Sequence, residues 1–118
     1  MIWDSTNQKK VYVVDADIDG YETLATYPSH QDVVFFRSGR EALRTNPEDG
    51  PAMWVINVDL PDMSGADLQS MLQSRGNQSP LALVSNEYSV EDEIAARVAG
   101  AEMYFAKPLA SEVIAAAV

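Results

Sequence analysis

A carboxylate, a carboxamide, a hydroxyl and an ammonium each close an apolar run in this chain. VYVV runs into Asp15, MWVI into Asn57, LALV into Ser85 and MYFA into Lys107. Short continuous apolar runs separated by helical patterns read as buried strands of a parallel sheet. An open α/β sheet of that kind delivers the carboxyl ends of its strands to one crevice, where it places its ligands. The four residues are therefore expected to meet, although roughly ninety positions separate the first from the last. A reactive acid would be useful at the centre of such a crevice, and Asn57 stands there.

The elements that must position these residues can be traced along the chain. Residues 1–9 are polar and read as a flexible lead-in; residues 10–118 read as a single domain. The first strand is expected over Lys10–Asp15. A helix is expected over Asp17–Tyr27, with Ile18, Tyr21, Leu24 and Ala25 on one face and Pro28 closing it. The second strand falls at Val33–Phe36. Ser38 and Glu41 make a capping box for a short helix with Ala42 and Leu43 inward. The third strand is Met53–Asn57, and Ser64 with Asp67 opens a helix whose Leu68, Met71 and Leu72 repeat at helical spacing until Gly76. The fourth strand is Leu81–Ser85. Ser89 caps a helix carrying Ile94, Ala95 and Val98, ended by Gly100. Glu102–Ala106 is the fifth strand, and a last helix begins after Pro108. It is still helical in pattern at Val118, which suggests a domain cut from a longer chain. Five strands alternating with five helices predict a doubly wound α/β sandwich with helices on both faces. The usual strand order at this length is 2-1-3-4-5.

Composition narrows the function classes. The chain has 118 residues, 47% of them hydrophobic, which suits one globular core. Eight Lys and Arg against eighteen Asp and Glu leave a formal charge of −10. That balance repels phosphate backbones and anionic lipid, so neither nucleic acid nor membrane is expected as a partner. Without cysteine there are no disulfides and no thiolate metal sites. No segment has the pattern of a signal peptide or a membrane span, so a cytoplasmic location is the expectation.

The motifs VVDADID, INVDLPDMSG, LVSN and AGAEMYFAKPL resemble a response-regulator receiver domain, of the CheY-like type. The resemblance runs from about Lys10 to the C-terminus. It is most specific in Pro61 and Gly65, four and eight residues after position 57, and in Gly100-Ala101 leading through Tyr104 to Lys107-Pro108. In receivers an aspartate at the end of the third strand accepts a phosphoryl group from a histidine kinase. An acidic pair after the first strand holds Mg²⁺. The resemblance therefore implies that Asn57 stands at the acceptor position, Asp15 and Ala16 at the acidic pair, and Ser85 and Lys107 at the phosphate-binding positions. Tyr104 falls on the aromatic switch position. The residue after the hydroxyl is usually small, leaving room for the phosphoryl group, and here it is Asn86. The Lys107–Pro108 bond is often cis in this family.

The departures from that pattern have chemical consequences. A carboxamide oxygen carries little charge and cannot give a stable acyl phosphate, so Asn57 removes the chemistry rather than weakening it. Mg²⁺ needs hard oxygen ligands, and Ala16 with Asn57 takes away two of three expected carboxylates. Asp59 shares the side of Asn57 by alternation. It should already lie in the Leu60-Pro61 turn, however, where the family uses only the backbone carbonyl. The metal reading left open is a weak Mg²⁺ site from Asp15, Asp17 and Asp59; no other cofactor is expected. Lys107 is expected to pair with Asp15 across the crevice. Ser85 is most simply a strand-end hydroxyl bonded to backbone. Trp54 is expected in the core, and Tyr104 on the surface built by the last two helices.

The leading expectation is a degenerate pseudo-receiver, a phosphorylation-independent regulatory module of two-component signal transduction and not an enzyme. Its partner would be a protein, such as a histidine kinase, an output domain of the same chain, or a second copy. Contact would run through the fourth helix, fifth strand and fifth helix. A receiver still phosphorylated or metal-switched through Asp59 is the alternative. A small-ligand sensor is another, since flavodoxins share the topology. The Asp15-Ala16-Asp17-Ile18-Asp19 turn would repel phosphate and argues against a flavin, which a colourless purified protein would also exclude.

Overall fold

The computed structural model describes residues 10–21, 33–45 and 50–109. Five short strands, β1 (Val11–Val14), β2 (Val33–Phe36), β3 (Met53–Asn57), β4 (Leu81–Ser85) and β5 (Met103–Ala106), form one sheet. Its order is β2-β1-β3-β4-β5, with every pairing parallel. Both the strand order and the α/β class agree with the sequence expectation, and β3 and β4 fall on their expected bounds. β1 and β5 are shorter by the flanking polar residues.

Register explains why the four polar residues meet. Val14 lies opposite Ile56, Asn57 opposite Val84, and Ser85 opposite Ala106. The ladder continues one residue past the strands, through Asp15 N–H to Phe36 O, Val58 N–H to Val84 O and Lys107 N–H to Ser85 O. All the carboxyl ends therefore stop at one edge.

Side chains alternate across the sheet and build two cores. Val11, Val13, Met53, Val55, Ala82 and Val84 face one side, joined by Tyr21 and Leu109. Val14, Trp54, Ile56, Leu81 and Leu83 face the other, covered by Ala42, Leu68, Leu72 and Ala96. Burial on both faces is why the strands read as unbroken apolar runs. Trp54 is in the core, as expected.

The helices Gly39–Leu43, Gly65–Ser74 and Val90–Ala99 all serve the second core. Each begins with a serine whose side chain accepts the N–H three residues on: Ser38 from Glu41, Ser64 from Asp67, Ser89 from Asp92. Such caps are worth about 1 kcal/mol each. Gly100 closes the third helix at φ 95°, a left-handed conformation that glycine adopts without penalty.

Three expectations need correction. Residues Asp17 to Tyr21 form a turn, closed by Tyr21 N–H to Ile18 O, and Gly20 has φ 95°, so no helix begins at Asp17. Ile18 is exposed while Tyr21 is buried. On the second helix Met71 is exposed, the core being reached by Leu68 and Leu72 one turn apart. On the third, Ile94, Ala95 and Val98 face out and Ala96 faces in. The remainder of the expected first helix, the lead-in 1–9 and the final helix after Pro108 lie outside the described residues. Among the described residues no helix is long and apolar enough to cross a membrane.

Candidate functional site

Asp15 is the hub of the crevice. Its Oδ2 accepts from Lys107 Nζ at 2.9 Å, Asn57 Nδ2 at 2.9 Å and the Tyr21 hydroxyl at 2.8 Å. Oδ1 accepts the backbone N–H of Asp17 at 3.0 Å. A buried carboxylate needs such saturation, because an unmatched charge out of water costs several kcal/mol. Burial first, and then the Asp15 charge, push the Tyr21 hydroxyl far above its ordinary range, so it stays a donor. The pairing of Lys107 with Asp15 is the one expected from charge.

Lys107 reaches this position by a shaped path. Its ammonium also donates to Asp17 O at 3.0 Å and lies 4.9 Å from the Tyr21 ring centre. Its stem runs against Gly20, where a Cβ would come within 2.8 Å of Lys107 Cδ. Gly20 thus serves both the turn and the approach of the lysine. The Lys107–Pro108 bond is cis.

Asn57 is bound as an amide, using both kinds of group that it carries. Nδ2 donates one hydrogen to Asp15 and the other to Asn86 Oδ1 at 3.0 Å. Oδ1 accepts the Asp59 N–H at 2.8 Å, which orients the group. A carboxylate could accept but could not donate. Asn86, at the position expected to be small, is therefore an acceptor for the central residue.

Ser85 departs from expectation. It bonds to side chains and not to backbone through its hydroxyl: it donates to Asp92 Oδ2 at 2.8 Å and accepts from the Tyr104 hydroxyl at 2.7 Å. Tyr104 in turn accepts the Ser89 N–H at 3.2 Å. This hydroxyl chain joins the end of β4 to the start of the Val90–Ala99 helix. Tyr104 is half-buried against the second core and Phe105 against the first, so the two face opposite ways.

Magnesium tests the donor set. Ala16 offers no side-chain oxygen, Asn57 aims nitrogen at Asp15, and the Asp15 oxygens are engaged. Asp17 accepts from Asp19 N–H, while Asp59 is exposed in a bridge to Ser64. Among the described residues, no three acidic or histidine side chains converge on a point that could hold a metal. Asp15, Asp17 and Asp59 thus do not come together as a weak site, and the crevice does not fit the hexacoordinate oxygen shell that Mg²⁺ requires.

The loop after Asn57 is tied down at both ends. Gly65 N–H reaches Val58 O at 2.8 Å, and a Cβ on Gly65 would collide with Asn57 O. Asp62 clasps the neighbouring helix, accepting Gly39 N–H at 3.0 Å and Arg40 N–H at 2.9 Å. These bonds, Arg40 first and Gly39 second, hold its carboxyl below the ordinary range. A depressed pKa stabilises the fold above the unfolded value of about 4, and that stabilisation is lost as pH falls through the folded value. Asp62→Asn should therefore lower Tm at neutral pH, with the gap to the parent closing in acid. A gap that stays constant across the acid range would show that the clasp is not electrostatic.

Sequence reading missed four participants: the Tyr21 hydroxyl, Asn86 as acceptor, Asp92 and Asp62. Only Asn86 carried a signal, as a polar residue where a small one was expected.

Residues 11–118 match the family described as response regulator receiver domain. The chain is 33% identical over 101 residues to the transcriptional regulatory protein PrrA of Mycobacterium tuberculosis, covering 84% of this chain and 43% of that protein. It therefore spans less than half the length of that relative. Among solved structures, the receiver domain of Francisella response regulator 1452 superposes with a TM-score of 0.77 at 25% identity, covering 93% of each chain. DrrB, a Thermotoga maritima OmpR/PhoB homolog, gives a TM-score of 0.73 at 27% identity, covering 92% of this chain and 50% of that one.

Proposed function

This chain belongs to the response regulator receiver domain family of two-component signal transduction, and from that premise we propose that it works as a pseudo-receiver, a regulatory module whose state does not depend on phosphorylation. One observation carries the reading: the residue at the acceptor position donates hydrogen bonds to Asp15 and Asn86. A phosphoacceptor must instead present an anionic oxygen to phosphorus. The charge that a metal would neutralise is met internally, by Lys107 on Asp15. Metal and nucleophile are the two parts on which phosphoryl transfer rests, and neither has its donor set here. The module carries out no catalysis in this reading and acts by binding protein, a kinase or an output domain of the same chain, through the Val90–Ala99 helix and β5. In this reading Asp59 does not take over the chemistry, because it lies beyond the strand end in the turn bridged to Ser64.

Amide NMR of the ¹⁵N-labelled protein tests the proposal. Addition of Mg²⁺ and then beryllofluoride, a phosphoryl mimic, should leave the resonances of Asp15, Asn57, Ser85 and Lys107 at their starting positions apart from bulk salt effects. Concerted, saturating shifts of those four would overturn it, since they would mean that the crevice still gathers metal and phosphate.

A further inference from the structure

The Val90–Ala99 helix is arranged the opposite way from an ordinary surface helix. It buries Ala96 and turns Val90, Ile94 and Val98 outward, at 55%, 58% and 83% exposure. Residues four apart lie one above the other, so these three form a single i±4 ridge along the helix. A ridge of branched aliphatic side chains fits the i±4 grooves of a second helix.

Charge decides what kind of helix. Glu91, Asp92 and Glu93 occupy the first turn, Glu87 precedes it, and Arg97 is the helix's one cation. Arg97 is already committed to Glu93 at 3.1 Å, and Glu93 also accepts the Tyr88 hydroxyl at 2.7 Å. Those two bonds hold the Glu93 carboxyl below its ordinary range, Tyr88 first and Arg97 second. A second copy would bring the same acidic first turn, with the one cation of each helix already held by Glu93, so the two charge sets repel within a Debye length of about 8 Å. The whole chain, at −10, adds to that repulsion.

Resting on the reading of this chain as a protein-binding module, we infer that the ridge docks a cationic amphipathic helix of another protein segment, with Lys or Arg flanking an aliphatic row, and not a second copy of this chain. The aliphatic row supplies the contact, and the flanks supply orientation and rate. The hydroxyl chain Ser89–Tyr104–Ser85–Asp92 fixes the N-terminal end of the same helix, so the ridge is presented on a rigid mount.

The test uses the full chain and two labelled helical peptides that share a Leu row at i, i+4 and i+8, one flanked by Lys and one by Glu. Fluorescence anisotropy should show the Lys peptide binding at least about tenfold more tightly than the Glu peptide, with the margin shrinking in about 0.5 M salt. Ile94→Glu should weaken the Lys peptide about tenfold or more. Because that substitution adds negative charge, non-specific attraction predicts the reverse, and stronger or unchanged binding would overturn the inference. So would a dimer in sedimentation velocity that Ile94→Glu dissociates, since the second copy would then be the occupant. Circular dichroism checks that the variant folds, as expected for a side chain more than half exposed. Beryllofluoride binding in the crevice would defeat the pseudo-receiver reading and leave the peptide result standing, so the two failures are separable.

Discussion

Lys107→Met is expected to destabilise the protein by about 3 kcal/mol, at the lower end of what removing one partner of a buried ion pair costs. The side chains of Lys107 and Asp15 are only 9% and 4% exposed, so water cannot replace the lost ammonium. Tyr21 and Asn57 still donate to the stranded carboxylate, which is why the loss falls at that lower end. Tyr21 has a second stake in the lysine, whose ammonium lies over its ring. A double-mutant cycle separates pairing from packing. Asp15→Asn with Lys107→Met should cost clearly less than the sum of the two single changes, because the double variant has no uncompensated charge. Urea unfolding of the four proteins measures it, and simple additivity would show that the pair does not hold the crevice together.

Asn57→Asp, the change that would install an acid where the proposed reading places the acceptor, should cost about 2–4 kcal/mol rather than leave the fold untouched. Two donors become acceptors, one facing the Asp15 carboxylate and one facing Asn86 Oδ1, both near 3 Å. Lys107 offsets part of the repulsion by sharing its charge between the two acids. Mg²⁺ should not rescue this variant, since position 16 still lacks an oxygen. It should raise the Tm of Ala16→Asp/Asn57→Asp, where two added carboxylates rebuild an oxygen site. Thermal melts with and without Mg²⁺ distinguish the cases. An Asn57→Asp single variant as stable as the parent would mean that the amide is not required where it stands.

Much of this was legible in the chain because it depends on short-range pattern. Strand ends could be read from where apolar runs stop, and parallel register then carried Asp15, Asn57, Ser85 and Lys107 to one edge. The serine caps could be read because an N-cap and its N3 partner are three residues apart by helix geometry. Which face of an amphipathic helix turns inward was less legible. Ile94, Ala95 and Val98 look like a core stripe, yet it is Ala96 whose placement sets it fully against the second core. The side-chain bonds were opaque for another reason. Ser85 to Asp92 and Asp62 to Gly39 depend on loop paths and helix placement, which no local spacing records. The first turn failed because Gly20 and the Asp17 carbonyl are set by a residue at the far end of the domain.

That long reach bears on how the protein is made. Lys107 Nζ binds the carbonyl of Asp17, ninety residues earlier, and the same ammonium neutralises Asp15. During synthesis β1, β2, β3 and β4 all leave the ribosome before the lysine does. A nascent chain can therefore pair four strands but leaves the Asp15 carboxylate without its ammonium until residue 107 arrives. The last strand completes the charge balance of the first, and a chain stopped before residue 107 holds an edge strand with no site to close. Contacts of such separation slow folding, and here they leave the charge balance of this sheet edge to the last step of assembly.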